Sequence, residues 1–396
     1  MGAKNYSNRK DKLKIGILSF YYPHLGGSGI VSTRIGSYLA KQGHEIHFIG
    51  YDTDFNPKDM EEIGVRLHQI RKIDYPCLKN EPYIWSLASK ICDVDKEFNL
   101  DLIHANYVLP HAASAYLARE RLKEDGKYLP YVATGHGSDI HTNGSKSEVN
   151  PILQLCLNKA DALTFVSKDL KDIAEKQLGI NTKGIHIPNF VDTSKFYKKK
   201  TNLREELQIP EKAFVIGHVS NFAPIKQVYH FSYLSEHLKS AGTLDNTYFL
   251  MVGDGRDRSN LEERIDKIGV SNHFRFVGKL EEEGVLEAYN AMDVVMLPSK
   301  HEGNPLIVLE AMACSKPVIG TRVGGIEEAI DGGGGFLFEN GDMVGLTKII
   351  SNLRNNPELR FFVGKEGLEK VERDYSVEKI MEKYLEVYNK VKDKRK

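Results

Sequence analysis

The stretch SKHEGNPLIVLEAMACSKPVIGTRVGG, Ser299 to Gly325, decides how the chain is read. Just upstream, the apolar run Val294 to Leu297 predicts a strand that delivers the chain to Pro298 and a polar loop. Pro305 suits the first turn of a helix, where its missing N–H is not needed. The loop therefore stands at the carboxyl end of a strand and beside a helix N-terminus. Open α/β sheets bind ligands at that edge, and the unpaired amides there suit a phosphate. Glu302 falls in the loop and Glu310 in the second turn of the helix, so one ligand can meet both. For an isolated pair of glutamates, a solvated loop charge and a solvated helix residue is the competing reading.

Working outward, the same alternation fills the chain. Lys14 to Phe20 (KIGILSF) reads as a buried strand, followed by Tyr21-Tyr22-Pro23, the loop Gly26-Gly27-Ser28-Gly29, and a helix from Ile30 to a natural stop at Gly43. Strands are predicted at His44 to Ile49, Val65 to Ile70, Leu102 to His104, Tyr131 to Thr134 and Leu163 to Val166. Helices are predicted at Tyr83 to Phe98, His111 to Leu122, Ile152 to Ala160 and, capped by Ser167, Ser167 to Gln177. A second series has strands at Phe214 to Val219, Tyr248 to Val252, Phe274 to Val277, Val294 to Leu297, Val318 to Thr321 and Phe336 to Phe338. Three helices end the chain, the last from Val377 to Val391.

Strands alternating with helices mean parallel sheets with helices on both faces. The expected class is α/β, two successive doubly wound units in 396 residues, more than one core usually serves. The expected domains are 1–191, 192–375 and a terminal helix, 376–396, packing back on the first, with the polar stretch Asp192 to Asn202 as linker.

Lysine plus arginine equals aspartate plus glutamate at 54 each, so no global field draws the chain to nucleic acid. Cys77, Cys92, Cys156 and Cys314 lack metal-ligand spacing and read as reduced thiols, which points to the cytoplasm. No apolar run approaches a membrane span, and the start MGAKNYSNRKDKLK lacks the apolar core of a secretory signal. With Tyr6 beside Ser7, the myristoylation pattern is not met. A homodimer is compatible with the sequence, which marks no interface.

Several loops carry candidate chemistry. Gly26-Gly27-Ser28-Gly29 allows close backbone approach and forms either an anion cradle or a plain turn. Gly253-Asp254-Gly255 reads more simply as a turn. His136, between two glycines at a strand end, can hydrogen-bond a sugar hydroxyl or move a proton, or else cap its loop; Thr134 and Asp139 share that choice. Lys226, five residues after Asn221 and opening a helix, can neutralise a departing diphosphate or be merely solvated. The run Lys198-Lys199-Lys200 reads as linker solubility.

Taken together, these pieces resemble the retaining glycosyltransferases of family GT4, which have the GT-B fold. Glu302 and Glu310 match that family's E-x7-E motif, followed by AMACSKPVIGTRVGG. The resemblance implies two Rossmann-like domains facing across a cleft, a nucleotide-sugar donor and no metal. By the same resemblance Glu310 holds the ribose and Glu302 lies against the donor sugar. Asn304, Pro305 and Leu306 present amides to sugar and phosphate, Lys226 and the Gly26 and Gly27 amides meet the diphosphate, and His136 lies near the reacting sugar. Within the family, HEIHFI, Leu87 to Lys90, NYVLPHA, HGSDI and SNF are similar to the malate synthases of bacillithiol biosynthesis. That likeness implies UDP-N-acetylglucosamine as donor and L-malate as acceptor, with Ser28, Tyr107, Thr134 and Asn221 as acceptor contacts. Departures keep other acceptors open: Ala223-Pro224 stands where those synthases carry basic residues, and a dicarboxylate needs cationic partners. An aminocyclitol, a glycolipid or a polysaccharide precursor is the alternative acceptor. A sugar-nucleotide epimerase of the same fold is the alternative enzyme.

Overall fold

The computed structural model describes residues 12–19, 26–51, 64–70 and 82–395. Cys77, the Tyr21-Tyr22-Pro23 segment and the polar start lie outside the described residues.

The chain divides into two compact units. The first comprises Met1–Phe165, Ile173–Ile185 and Lys383–Lys396; the second comprises Val166–Asp172 and His186–Glu382. The first holds seven strands: β1 (Lys14–Leu18), β2 (Glu45–Tyr51), β3 (Val65–Ile70), β4 (Leu102–Asn106), β5 (Tyr131–Gly135), β6 (Ala162–Phe165) and β7 (Gly184–His186). Their order across the sheet is β3-β2-β1-β4-β5-β6-β7, and the pairings from β3 to β6 are parallel. The second holds β8 (Phe214–Val219), β9 (Thr247–Val252), β10 (Phe274–Gly278), β11 (Val294–Leu297), β12 (Val318–Thr321) and β13 (Gly335–Phe338). Its order, β10-β9-β8-β11-β12-β13, repeats the same winding with all pairings parallel. Each order reverses direction once, between β1 and β4 and between β8 and β11. That switch point is where a doubly wound sheet leaves a crevice beyond its strand ends.

The second sheet shows why its strands read as continuous apolar runs. Val215, Leu250, Val252, Val295 and Leu297 face one buried cluster. Phe214, Ile216, Phe249, Met251, Val294 and Met296 face another. Side chains alternate along a strand, and both faces are covered by helices, so neither set can be polar.

Three details differ from the sequence reading. The first helix starts at Gly27 rather than Ile30 and runs to Lys41, because the glycine loop itself supplies its first turn. Lys226 closes a single 3-10 turn, Pro224–Lys226; Gln227 then takes φ 48°, and the helix proper is His230–Ser240. Pro305 is the extended residue preceding the helix Leu306–Ala313, not part of its first turn.

The polar stretch expected as a linker is tied to the second unit. Phe196 is buried, Lys195 pairs with Glu282, and Lys199 pairs with Glu283 and Glu287 at 2.7 and 2.6 Å. The triple-lysine segment is thus partly consumed by ion pairs that solubility alone does not require. The last helix, Val377–Lys392, begins in the second unit and ends in the first. There the Tyr388 hydroxyl meets His104 Nδ1 at 2.8 Å, and Tyr384 packs on the same imidazole.

Candidate active site

In the first unit, the candidate residues gather where β1, β4 and β5 end. The helix Gly27–Lys41 starts with no side-chain cap, and among the described residues a Cβ added at either Gly26 or Gly27 would meet nothing within 4 Å. The Ser28 carbonyl accepts from Asn106 Nδ2 at 3.0 Å, and Asn106 Oδ1 lies 2.9 Å from His136 Nε2. This chain of contacts crosses the switch point between β1 and β4. Burial pushes the His136 imidazole down to about 3, so the partly exposed ring is neutral at physiological pH.

Asp139 shapes the loop that carries His136. Its buried carboxylate accepts the backbone N–H of His136, of Gly137 at 2.7 Å and of Val108 at 3.0 Å, joining the turn after β5 to the turn after β4. Burial pushes this acid up to about 6, while the same three N–H groups pull the other way. Tyr107, between those turns, has φ 103°, a left-handed conformation that a bulky residue adopts only under strain. Its hydroxyl meets Ser138 Oγ at 2.7 Å, and burial followed by the charge of Asp139 pushes it up to about 12.

Thr134 belongs to a deeper layer. It is fully buried, and its hydroxyl lies 2.7 Å from His104 Nε2 and 2.5 Å from Thr164 Oγ1. With the Tyr388 contact, this makes a continuous polar thread from the last helix to the end of β5.

In the second unit, the strand ends carry charge. Lys226 Nζ and Glu302 Oε1 stand 2.6 Å apart, with side chains 18% and 10% exposed, bridging the loops after β8 and β11. The loops are further stitched by Lys300 N to the Ile225 carbonyl at 2.8 Å. Asn221 is exposed on its turn, which is set by Ser220: Ser220 Oγ accepts from Phe222 N and lies 2.7 Å from His218 Nε2. A Cβ on Gly255 would stand 2.0 Å from the Asn221 carbonyl, so only glycine lets the GDG turn support that loop.

The loop Glu302–Pro305 is built from both sides. Gly325 N donates to the Glu302 carbonyl at 3.1 Å, and a Cβ on Gly325 would collide with the Gly303 carbonyl at 1.6 Å. Asn304 is buried and clamped by Asn189: Asn189 N donates to Asn304 Oδ1 at 3.0 Å, and Asn189 Nδ2 to the Asn304 carbonyl at 2.6 Å. The helix Leu306–Ala313 then starts without a side-chain cap. Glu310, nearly buried one turn on, accepts from the Tyr289 hydroxyl at 3.1 Å.

Thus Gly26, Gly27, Ser28, Tyr107, Thr134 and His136 come together in the first unit. Asn221, Lys226, Glu302, Asn304, Pro305, Leu306 and Glu310 come together in the second. Sequence reasoning missed Asn106, Asn189 and His218. The place of Asn106 at the end of the strand predicted at Leu102 to His104 was the available hint for it. Among the described residues no group of three or more His, Cys, Asp or Glu could hold a metal ion. Among them, too, no helix is long and apolar enough to cross a membrane.

The chain is similar to known proteins. Residues 25–195 match Glycosyltransferase Family 4, and residues 199–370 match Glycosyl transferases group 1. The chain is 34% identical, over 95% of its own length and 97% of the relative's, to N-acetyl-alpha-D-glucosaminyl L-malate synthase of Bacillus anthracis. It is 25% identical, over 92% and 90%, to D-inositol 3-phosphate glycosyltransferase of Corynebacterium urealyticum. In fold it is similar to Anabaena HepE in complex with UDP and glucose, with a TM-score of 0.79 at 20% identity over 95% and 99% of the two chains. The paired switch-point sites, the E-x7-E motif and these likenesses together establish that the chain belongs to glycosyltransferase family 4 and is a transferase with the GT-B fold.

Proposed function

We propose that this chain transfers N-acetylglucosamine from UDP-N-acetylglucosamine to the hydroxyl of L-malate, retaining the α-configuration, in the cytoplasm. The observation that carries this reading is the 34% identity to the Bacillus anthracis malate synthase along nearly the whole of both chains. The Lys226–Glu302 pair and the uncapped helix at Leu306 fit a diphosphate-bearing donor.

In the proposed reaction, the bond between the anomeric carbon and the β-phosphate oxygen breaks through an oxocarbenium-like transition state. Charge grows on the departing diphosphate. In the second unit Lys226 and the amides of the Asn304 to Leu306 segment meet that charge, which requires no metal ion. Glu302 orients both Lys226 and the sugar, and Glu310 receives the ribose hydroxyls. The acceptor oxygen forms the new bond, and its proton passes to the leaving phosphate. In the first unit Tyr107 and Ser28 meet the acceptor, and Thr134 supports them from the buried layer beneath.

Ala223-Pro224, which brings no cation, favours a second reading in which a less charged polyol accepts the sugar. Incubation with a panel of UDP-sugars, with and without malate, inositol phosphate and aminocyclitols, read by mass spectrometry, tests both. Malate-dependent release of UDP with the glycosylated malate mass is expected. Release with another acceptor alone replaces malate, and isomerised sugar without acceptor overturns the transferase reading.

A further inference from the structure

We infer that Asn106 is a positioning residue that holds His136 as the tautomer protonated on Nε2, and so presents the bare Nδ1 lone pair to a hydroxyl of a bound substrate. The inference rests on the transferase reading for its substrate, but its geometric half stands alone. The Ser28 carbonyl can only accept a hydrogen bond, so the Asn106 atom 3.0 Å from it must be the amide nitrogen. That turns the Asn106 oxygen toward His136 Nε2 at 2.9 Å, and an amide oxygen also only accepts. Nε2 must therefore carry the ring proton. The opposite tautomer sets two lone pairs against each other, and flipping the amide to relieve this creates the same clash at Ser28.

Asn106 has no freedom to escape these contacts. It is fully buried at the end of β4 and in register with Thr134 of β5. With Nε2 occupied and the ring neutral, Nδ1 is the remaining polar atom, and it has no hydrogen-bond partner among the described residues. The ring edge is partly open, and Tyr107 lies roughly parallel to it at 6.5 Å. A fixed acceptor in that position recognises a hydroxyl, and selects against a group that can only accept. The hydroxyl belongs either to the donor sugar or to the acceptor.

The first test reads the tautomer directly. Ring nitrogen NMR of histidine-labelled protein without substrates, with His136→Gln to assign the signal, is expected to show Nε2–H. A signal for Nδ1–H overturns the inference whether or not the chain proves to be a transferase. The second test is Asn106→Asp, which puts a negative charge beside Nε2 and favours the imidazolium, in which Nδ1 no longer accepts. The other titratable groups around the ring are His104 from β4, held near 3, Asp139 from the turn after β5, near 6, and Tyr107, near 12. All are shared with the unsubstituted protein, so a new acid limb in the variant belongs to the pair that the introduced carboxyl forms with His136. Turnover of Asn106→Asp is expected to fall about tenfold or more between pH 8.5 and 6.5 relative to the parent. An identical pH profile and turnover overturns the inference.

Asn106→Leu separates the two sources of the hydroxyl. A weaker donor Kd measured without acceptor places it on the donor sugar, and a raised acceptor KM at unchanged donor Kd places it on the acceptor. No change in either, with unchanged turnover, overturns the role of Asn106. Inactivity of the unsubstituted protein toward all donors and acceptors would overturn the transferase reading instead, and leave the tautomer measurement standing.

Discussion

The two sheets share one winding, yet their switch points are chemically opposite. In the first unit, Ser28, Asn106 and His136 form a neutral hydrogen-bonded thread, with Tyr388, His104 and Thr134 as a second one beneath. In the second unit the loops meet through an ion pair, Lys226 with Glu302, next to an uncapped helix. Neutral groups specify hydroxyl geometry without attracting ions, whereas charge in a half-dry loop is suited to a diphosphate. Similar strand orders thus serve different chemistry, and the difference lies in loop residues.

The largest effect is expected at the charged loops of the second unit. Lys226→Ala is expected to lower kcat about 100-fold, with a smaller change in donor Kd, measured by steady-state kinetics beside calorimetric titration of the UDP-sugar. A weaker donor Kd at unchanged kcat would make Lys226 a ground-state contact only.

On the neutral side, Asp139→Asn halves the acceptor capacity that three backbone N–H groups use. A loss of about 1–3 kcal/mol is expected from urea unfolding, because orphaned buried donors carry their full desolvation cost. Hydrogen exchange should localise the weakening to the first unit.

Acid should discriminate between the units as well. His68, His104, His111 and His136 of the first unit are held by burial at about 4, 3, 4 and 3, and His218 of the second at about 4. A folded value below the ordinary 6.5 favours the neutral ring, so this contribution to stability is fully present above pH 6.5 and is lost as pH falls toward 4. Asp139 has the opposite sign: its raised value contributes below about 4 and is lost as pH rises through about 6. Amide exchange followed from pH 7.5 to 5 should show protection falling first in the first unit. Equal loss in both units would mean that these histidines do not set its acid sensitivity.

The smallest effect is expected from Asn189→Ala. It removes the clamp on the Asn304 carbonyl, and a roughly threefold higher donor KM with little change in kcat should follow, since the loop amides remain but are less ordered.

Much of this molecule was legible in its residues. Apolar runs between polar loops predicted both sheets because strands buried on two faces have no polar side to hide them. The capping of Ser167 was equally local: Leu170 N donates to its hydroxyl at 3.2 Å. Glu302 and Lys226 stood out because their loops follow strand ends, and Glu310 because its helix starts from such a loop. Boundaries at Gly27 and Lys226 were less legible, since a first helical turn needs no hydrogen bonds of its own and a glycine loop can enter one freely.

The residues that hold the site in place were invisible for a different reason. Asn106 and Asn189 are short polar residues in apolar surroundings, and no local pattern separates a strut from a solvated amide. Near-neighbour spacing alone fixed the alternation of strands and helices, the two-unit organisation and the loops that carry chemistry. Long-range packing brings Lys226 to Glu302 across 76 positions, Asn189 to Asn304 across 115 and Tyr388 to His104 across 284. Such contacts depend on which strands lie adjacent, and that is set by the packing of the whole sheet.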